Sequence, residues 1–212
     1  MSNSDFISGL AATATPVRPR RLYADFAILA AIAGLQILGA SLLFGQSEAV
    51  GKAFMMDGAR MQLKFWLFGL SGAVFAGLAL WSLYPGTQRV SMITLSVAAL
   101  VLLLAVIGFD RALTGGVGQV LDPGHGIACL ISVVSLSLPV TLILSLFMVR
   151  GASTQPNRTA FLVGLAGGSW GAFTYALQCP FVGLWYLALW YMGAVLLVAL
   201  AARVILPRLA SW

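Results

Sequence analysis

The sequence predicts an all-α membrane protein, a bundle of about six transmembrane helices with a short cytoplasmic N-terminal arm. Three observations predict it. Of the 212 residues, 60% are hydrophobic and 8% are charged, with a mean hydropathy of +0.98; soluble domains are roughly 45–50% apolar and about 25% charged. The apolar residues gather in stretches of about 20, the length a helix needs to cross a hydrocarbon core roughly 30 Å thick. Most of the basic residues fall to one side of those stretches. A lipid-facing exterior tolerates such a composition because hydrocarbon asks for no polar covering.

Residues 1–22 are polar and basic, without the apolar run and small-residue cleavage site of a secretory signal. They are expected to remain as a cytoplasmic arm ahead of a transmembrane domain at 23–212. Six spans are expected, at about Ala24–Phe44, Leu63–Leu83, Val90–Phe109, Ile127–Val149, Ala160–Leu177 and Val182–Leu206. Pro85-Gly86, Asp122-Pro123-Gly124 and Gln155-Pro156-Asn157 mark three of the links with turn chemistry.

Charge sets the direction. Arg18, Arg20, Arg21, Arg89, Arg150, Arg158, Arg203 and Arg208 fall on one side, accompanied only by Asp5 and Asp25. The other side holds Lys52, Arg60, Lys64 and Arg111 against Glu48, Asp57, Asp110 and Asp122. The positive-inside rule then places both termini in the cytoplasm of a bacterial inner membrane. The basic excess is accounted for by topology and anionic lipid, so it does not point to nucleic acid.

Small residues suggest how the bundle packs. Gly164/Gly168 and Gly167/Gly171 form two overlapping G-x-x-x-G patterns that let another backbone approach closely. Six helices must pack somewhere, so internal seams are favoured, with a homodimer through Gly164 and Gly168 as the alternative. Pro139 removes one backbone hydrogen bond from the fourth span and predicts a bend there, with Ser132, Ser135 and Ser137 at hand for freed carbonyls. Gln36 is the one strongly polar side chain at mid-depth and reads as glue between helices. Intramembrane ionisable residues, the usual mark of a transport path, are almost lacking. That argues against a proton-coupled pump and leaves a small carrier of a metal ion or solute as the alternative function.

The two cysteines, Cys129 and Cys179, are both expected near the periplasmic face, where disulfides persist. The single histidine, His125, precedes Cys129 by four residues, one helical turn. Three readings stand open for the pair: a structural disulfide, a redox or metal sensor, and two inert thiols. Copper or zinc would suit thiolate and imidazole ligands, although Cys129, Cys179 and His125 make only three of the four ligands of a closed site. No cofactor-binding or catalytic motif is present: C-x-x-C, H-E-x-x-H, G-x-S-x-G and the P-loop are all missing. A non-enzymatic role follows, and quinone-linked disulfide oxidoreductases, which need a C-x-x-C pair, are disfavoured.

In the arm, Ser4 and Asp5 provide a helix start, and Phe6, Ile7 and Leu10 a short apolar face. Such a helix either lies on the inner leaflet, held by Arg18, Arg20 and Arg21, or docks into a groove on a soluble partner. It is too short to stay helical alone and would order on binding.

Several segments resemble the NrsF-type membrane anti-sigma-F factors. They are Asp5-Phe6-Ile7 with Leu10-Ala11 and Pro16-Val17-Arg18, Gly164-Leu165-Ala166-Gly167-Gly168, Tyr175-Ala176-Leu177-Gln178-Cys179-Pro180, Trp190-Tyr191, and Arg208-Leu209-Ala210-Ser211-Trp212. The resemblance covers essentially the whole chain, and Tyr-Ala-Leu-x-Cys-Pro is its most specific part. It implies that the arm, Asp5 to Leu10 included, holds an extracytoplasmic-function sigma factor away from RNA polymerase. It also implies that Cys129 and Cys179 sense periplasmic oxidative or heavy-metal stress and release that partner. The chain departs from the family at Gln178, where His is common, and at Phe181-Val182, where acids are common. That takes ligand-type side chains away from the second cysteine.

Overall fold

Residues 22–44, 51–52, 55, 58–83, 123–151, 155–181, 183 and 186–209 are described by the computed structural model. Among them are five helices of 18 residues or more and no strand. They are α1 (Leu22–Phe44), α2 (Gly58–Trp81), α3 (Pro123–Arg150), α4 (Pro156–Ala176) and α5 (Met192–Leu209), the last entered through a π-helical turn at Leu187–Tyr191. Among the described residues, four stretches are long and apolar enough to cross a membrane: Tyr23–Leu42, Gly58–Trp81, Gly124–Arg150 and Leu187–Leu209. Four crossings are therefore supported among the described residues, and the expected count of six is not. The third expected span, Val90–Phe109, lies outside the described residues, as do Asp5, Phe6, Ile7 and Leu10 of the arm. The fifth, expected at Ala160–Leu177, is a helix, but its glycines, serine and threonines dilute the apolar run below that of the other four.

The dilution follows from position. α4 sits at the centre of the bundle, between α2, α3 and α5, and almost every residue from Thr159 to Ala176 is buried. A helix wrapped by other helices needs small residues more than lipophilic ones. A Cβ on Gly164 would lie 2.4 Å from the Ala199 Cα, and one on Gly168 would lie 3.0 Å from the Val195 Cα, so this pair is the seam for α5. Gly167 makes room for the Thr141 side chain, and a Cβ on Gly171 would lie 2.6 Å from the Val133 carbonyl oxygen, so the second pair is the seam for α3. From the other side Gly72 of α2 lets the Trp170 backbone nitrogen come within 3.3 Å of where its Cβ would be. Homodimerisation through Gly164 and Gly168 is thereby corrected: α5 of the same chain already fills that face.

Polarity is inverted relative to a soluble protein. Leu35, Leu38 and Leu42 of α1, Trp66 and Leu70 of α2, Leu138 and Leu142 of α3, and Leu200 and Val204 of α5 are all exposed. Polar side chains face inward and bond there. Gln36 donates from its amide to the Leu136 carbonyl and ties α1 to α3, the gluing role expected of it. The α3 helix runs on through Pro139. Beside the proline, the Ser137 hydroxyl donates to the Val134 carbonyl at 2.6 Å and Thr141 donates to the Ser137 carbonyl at 2.8 Å.

The two ends of the bundle differ chemically. At one, the C-terminus of α3 and the N-terminus of α4 bring Arg150 and Arg158 to the same level as the end of α5, with Arg203 and Arg208. There Ser82, just past α2, donates to the Thr159 hydroxyl at 3.0 Å. The other end holds Lys64, His125, Cys129 and Cys179. Because the α5 backbone lies where a Gly164 side chain would go, Gly164→Leu should destabilise the folded protein by about 2–3 kcal/mol. Gly193→Ala, with no atom within 4 Å of the new Cβ, should be silent. Thermal aggregation of the two variants in detergent, followed by size-exclusion chromatography, checks the difference.

A candidate thiol centre around a buried lysine

The site begins with a proline. Pro180 lacks an N–H and disfavours helix in the residue before it, so α4 stops at Ala176 and closes with a turn. In that turn the Gln178 and Cys179 amides both donate to the Tyr175 carbonyl, at 2.9 and 3.1 Å. The carbonyls at and after a helix end need donors from elsewhere. Lys64 supplies them. Its Nζ donates to the Cys179 carbonyl at 2.9 Å and to the Phe181 carbonyl at 3.1 Å. It also sits 4.8 Å from the centroid of the Tyr191 ring, a cation–π contact.

Lys64 reaches this point because α2 presents Met61, Lys64, Phe68, Ser71, Gly72 and Phe75 on one buried stripe at helical spacing. Its side chain is wholly buried, at 0% exposure. The π-turn shapes the opposite wall: the Met192 amide bonds back to the Leu187 carbonyl, five residues earlier. Trp190 is thereby set over Gly126, where any Cβ would lie within the indole, at 2.0 Å from its nearest atom. The neighbouring Tyr191 turns inward, stacks on Phe68 at 5.3 Å, and meets the rings of Tyr175 and Tyr186 at 5.8 and 6.4 Å.

Cys129 and Cys179 are both buried and both free thiols. They share one electrostatic neighbourhood with Lys64, Tyr186 and Tyr191. The structural-disulfide reading is therefore not the form described here. His125 is exposed; its ring meets the edge of Phe181 at 5.8 Å, and its backbone carbonyl accepts a hydrogen bond from the Tyr186 hydroxyl at 3.2 Å. The Gln178 amide, in the position where the resembled family often has histidine, reaches the Ala40 carbonyl at 3.4 Å. Among the described residues no three His, Cys, Asp or Glu side chains gather as a group able to hold a metal ion.

The structure thus brings the two sequence-predicted cysteines into one cluster and leaves His125 on its rim. Lys64, Tyr186 and Tyr191 were missed as members. By charge Lys64 groups with the residues of the outer face, although its i, i+4 relation to Phe68 is a readable signal that it shares the buried stripe. Chemically, two thiols in one buried cluster can be oxidised to a disulfide or share a soft metal ion. A cation between them and a helix end holds one thiol-bearing turn in place.

The family described as negative regulator of sigma F (NrsF) matches residues 10–212. The anti-sigma-F factor NrsF of Caulobacter vibrioides (strain NA1000 / CB15N) is 32% identical to this chain over 219 aligned positions, covering 94% of each. The probable anti-sigma-F factor NrsF of Azospira oryzae (strain ATCC BAA-33 / DSM 13638 / PS) is 28% identical over 85 positions, 40% of each. No solved structure matches. The family match takes in every helix described above and both cysteines, and it begins after Asp5, Phe6 and Ile7. Its role is regulatory rather than enzymatic, and the chain belongs to the NrsF family of negative regulators of sigma F.

Proposed function

We propose that this protein is an inner-membrane anti-sigma factor that holds an extracytoplasmic-function sigma factor on the cytoplasmic side and releases it under periplasmic oxidative or heavy-metal stress. The observation that carries the reading is the family match from residue 10 to residue 212, which includes the clustered free thiols. The sigma factor is held by the N-terminal arm, through Asp5, Phe6, Ile7 and Leu10, which order on binding. Both termini lie in the cytoplasm, with Val90–Phe109 as one of an even number of crossings. The signal is chemistry at Cys129 and Cys179: oxidation, or capture of a copper, zinc or similar soft ion. It acts on the arm by shifting the packing of α3, α4 and the π-turn against α2. Any such signal must bias two arrangements of the bundle, because separation alone transmits nothing.

Support for the direction comes from the bundle's two ends, one rich in arginine and the other in thiol chemistry. A route for a transported solute has less support, since the buried Lys64 already bonds the Cys179 and Phe181 carbonyls. Removing residues 1–15 should abolish co-purification of a co-expressed sigma factor from detergent extracts, and undiminished recovery would sink the docking claim. Replacing both cysteines with serine should leave the sigma factor held while a sigma-dependent reporter stays silent under oxidant or cadmium. A reporter that rises as in the parent strain would remove the thiols from the mechanism.

A further inference from the structure

We infer that Lys64 is a positioning residue of the thiol centre, a latch that pins the Cys179 turn to α2 and sets how far Cys179 is exposed to reagents. The inference takes from the preceding section only that Cys179 is a thiol whose accessibility matters.

Three observations carry it. First, Lys64 is wholly buried in a span long and apolar enough to cross a membrane, where a buried ionisable residue is costly and calls for a specific role. Second, both of its hydrogen bonds go to one short segment of another part of the chain, to the carbonyls of Cys179 and Phe181 on either side of Pro180. A proline between two bonded carbonyls is a stiff bridge, so the two bonds fix the segment's orientation as well as its position. Third, Cys179 stands beyond the last helical residue of α4, whereas Cys129 lies within α3. The two thiols thus differ in what holds them. Cys129 is held by its own helix; Cys179 depends on the turn, and the turn is tied to α2 by Lys64.

The latch also gives the turn a mechanical path. From Lys64 to Trp81, the residue before Ser82, α2 runs for about 26 Å, close to the thickness of a hydrocarbon core. Ser82 meets Thr159 at the arginine-bearing end. A displacement of the Cys179 turn therefore pulls on a helix whose other end touches the opposite face.

The test is thiol labelling of the full-length protein in native membrane vesicles by a membrane-permeant maleimide. Single-cysteine backgrounds, Cys129→Ser and Cys179→Ser, give the two rates separately. With Lys64→Met, which removes both hydrogen bonds, Cys179 should label about tenfold faster, the change that a net loss of about 1.4 kcal/mol delivers. Cys129 should change by less than about twofold, because its helix is untouched. Lys64→Arg, which keeps donors for both carbonyls, should bring the Cys179 rate back towards that of the parent. An unchanged Cys179 rate in Lys64→Met overturns the inference. So does an equal rise at both cysteines, which would mean general loosening, and so does a failure of arginine to restore the rate. Should Lys64→Met not accumulate, Lys64→Gln, which keeps a single donor group, is judged by the same ratio of the two rates. The outcome is separable from the sensor reading. The expected labelling pattern with normal induction in the double-serine protein would end the sensor and keep the latch. An unchanged pattern with lost induction would do the reverse.

Discussion

Backbone-to-backbone approach around α4 is the constraint on which the rest of the bundle depends. In lipid, helices gain nothing from hiding apolar side chains from one another, and association rests on close van der Waals packing and buried polar bonds. Gly164 and Gly168 admit α5, Gly167 and Gly171 admit α3, and Gly72 on α2 meets the backbone at Trp170. Three helices therefore close on a fourth with little side-chain bulk between them. Their separations are fixed by backbone shape rather than by rotamers, which leaves small tolerance for sliding. The thiol centre inherits this precision, because Cys129 rides on α3, Cys179 on the end of α4 and Tyr191 on the turn into α5.

Against that rigid background Lys64 is the exception. Burying an ammonium costs several kcal/mol unless hydrogen bonds and charge partners compensate. Here the partners are the ends of peptide dipoles and a ring face, which a lysine at a helix C-terminus is well placed to use. The glycine seams are backbone approaches in which neither cysteine takes part. The lysine contacts depend on one turn, and that turn carries a cysteine. A bundle that is stiff everywhere except at such a point can confine a chemical change to one displacement.

How much of this was legible varies by element. The edges of α1 and the end of α3 lie close to the expected spans, because long apolar runs bounded by polar or proline-containing links leave little choice. α3 itself starts earlier than expected, at Pro123 rather than Ile127. The start of α2 was set too late, at Leu63 rather than Gly58, since Arg60, Gln62 and Lys64 look like the close of a loop. Lys64 in fact turns inward, which extends the helix through them. The glycine pairs were recognisable as seams, but which neighbour occupies each depends on how the helices are arranged, and a single sequence carries no record of that. The same limit left Gly164 and Gly168 open to a dimer that α5 excludes. Both cysteines were found by type and by expected depth. Their lysine and tyrosine neighbours come from three separate helices, and only folding brings them together.

The π-turn at Leu187–Tyr191 was invisible in the sequence, because a run of apolar and aromatic residues reads the same in α and π geometry. It lets the same helix present Trp190 to Gly126 and Tyr191 to Lys64 while α5 keeps its seam on α4. A π-turn bonds five residues back instead of four, so it holds one residue beyond what an unbroken α-helix would need. That surplus makes the length of this stretch informative in its own right. Losing one residue between Leu187 and Tyr191 would regularise the helix and leave its later turns free to keep their register. The aromatic pair would rotate away from both of its partners. A shorter relative would thus keep the scaffold and lose the wall of the thiol centre, and the number of residues here separates the two as cleanly as any substitution could.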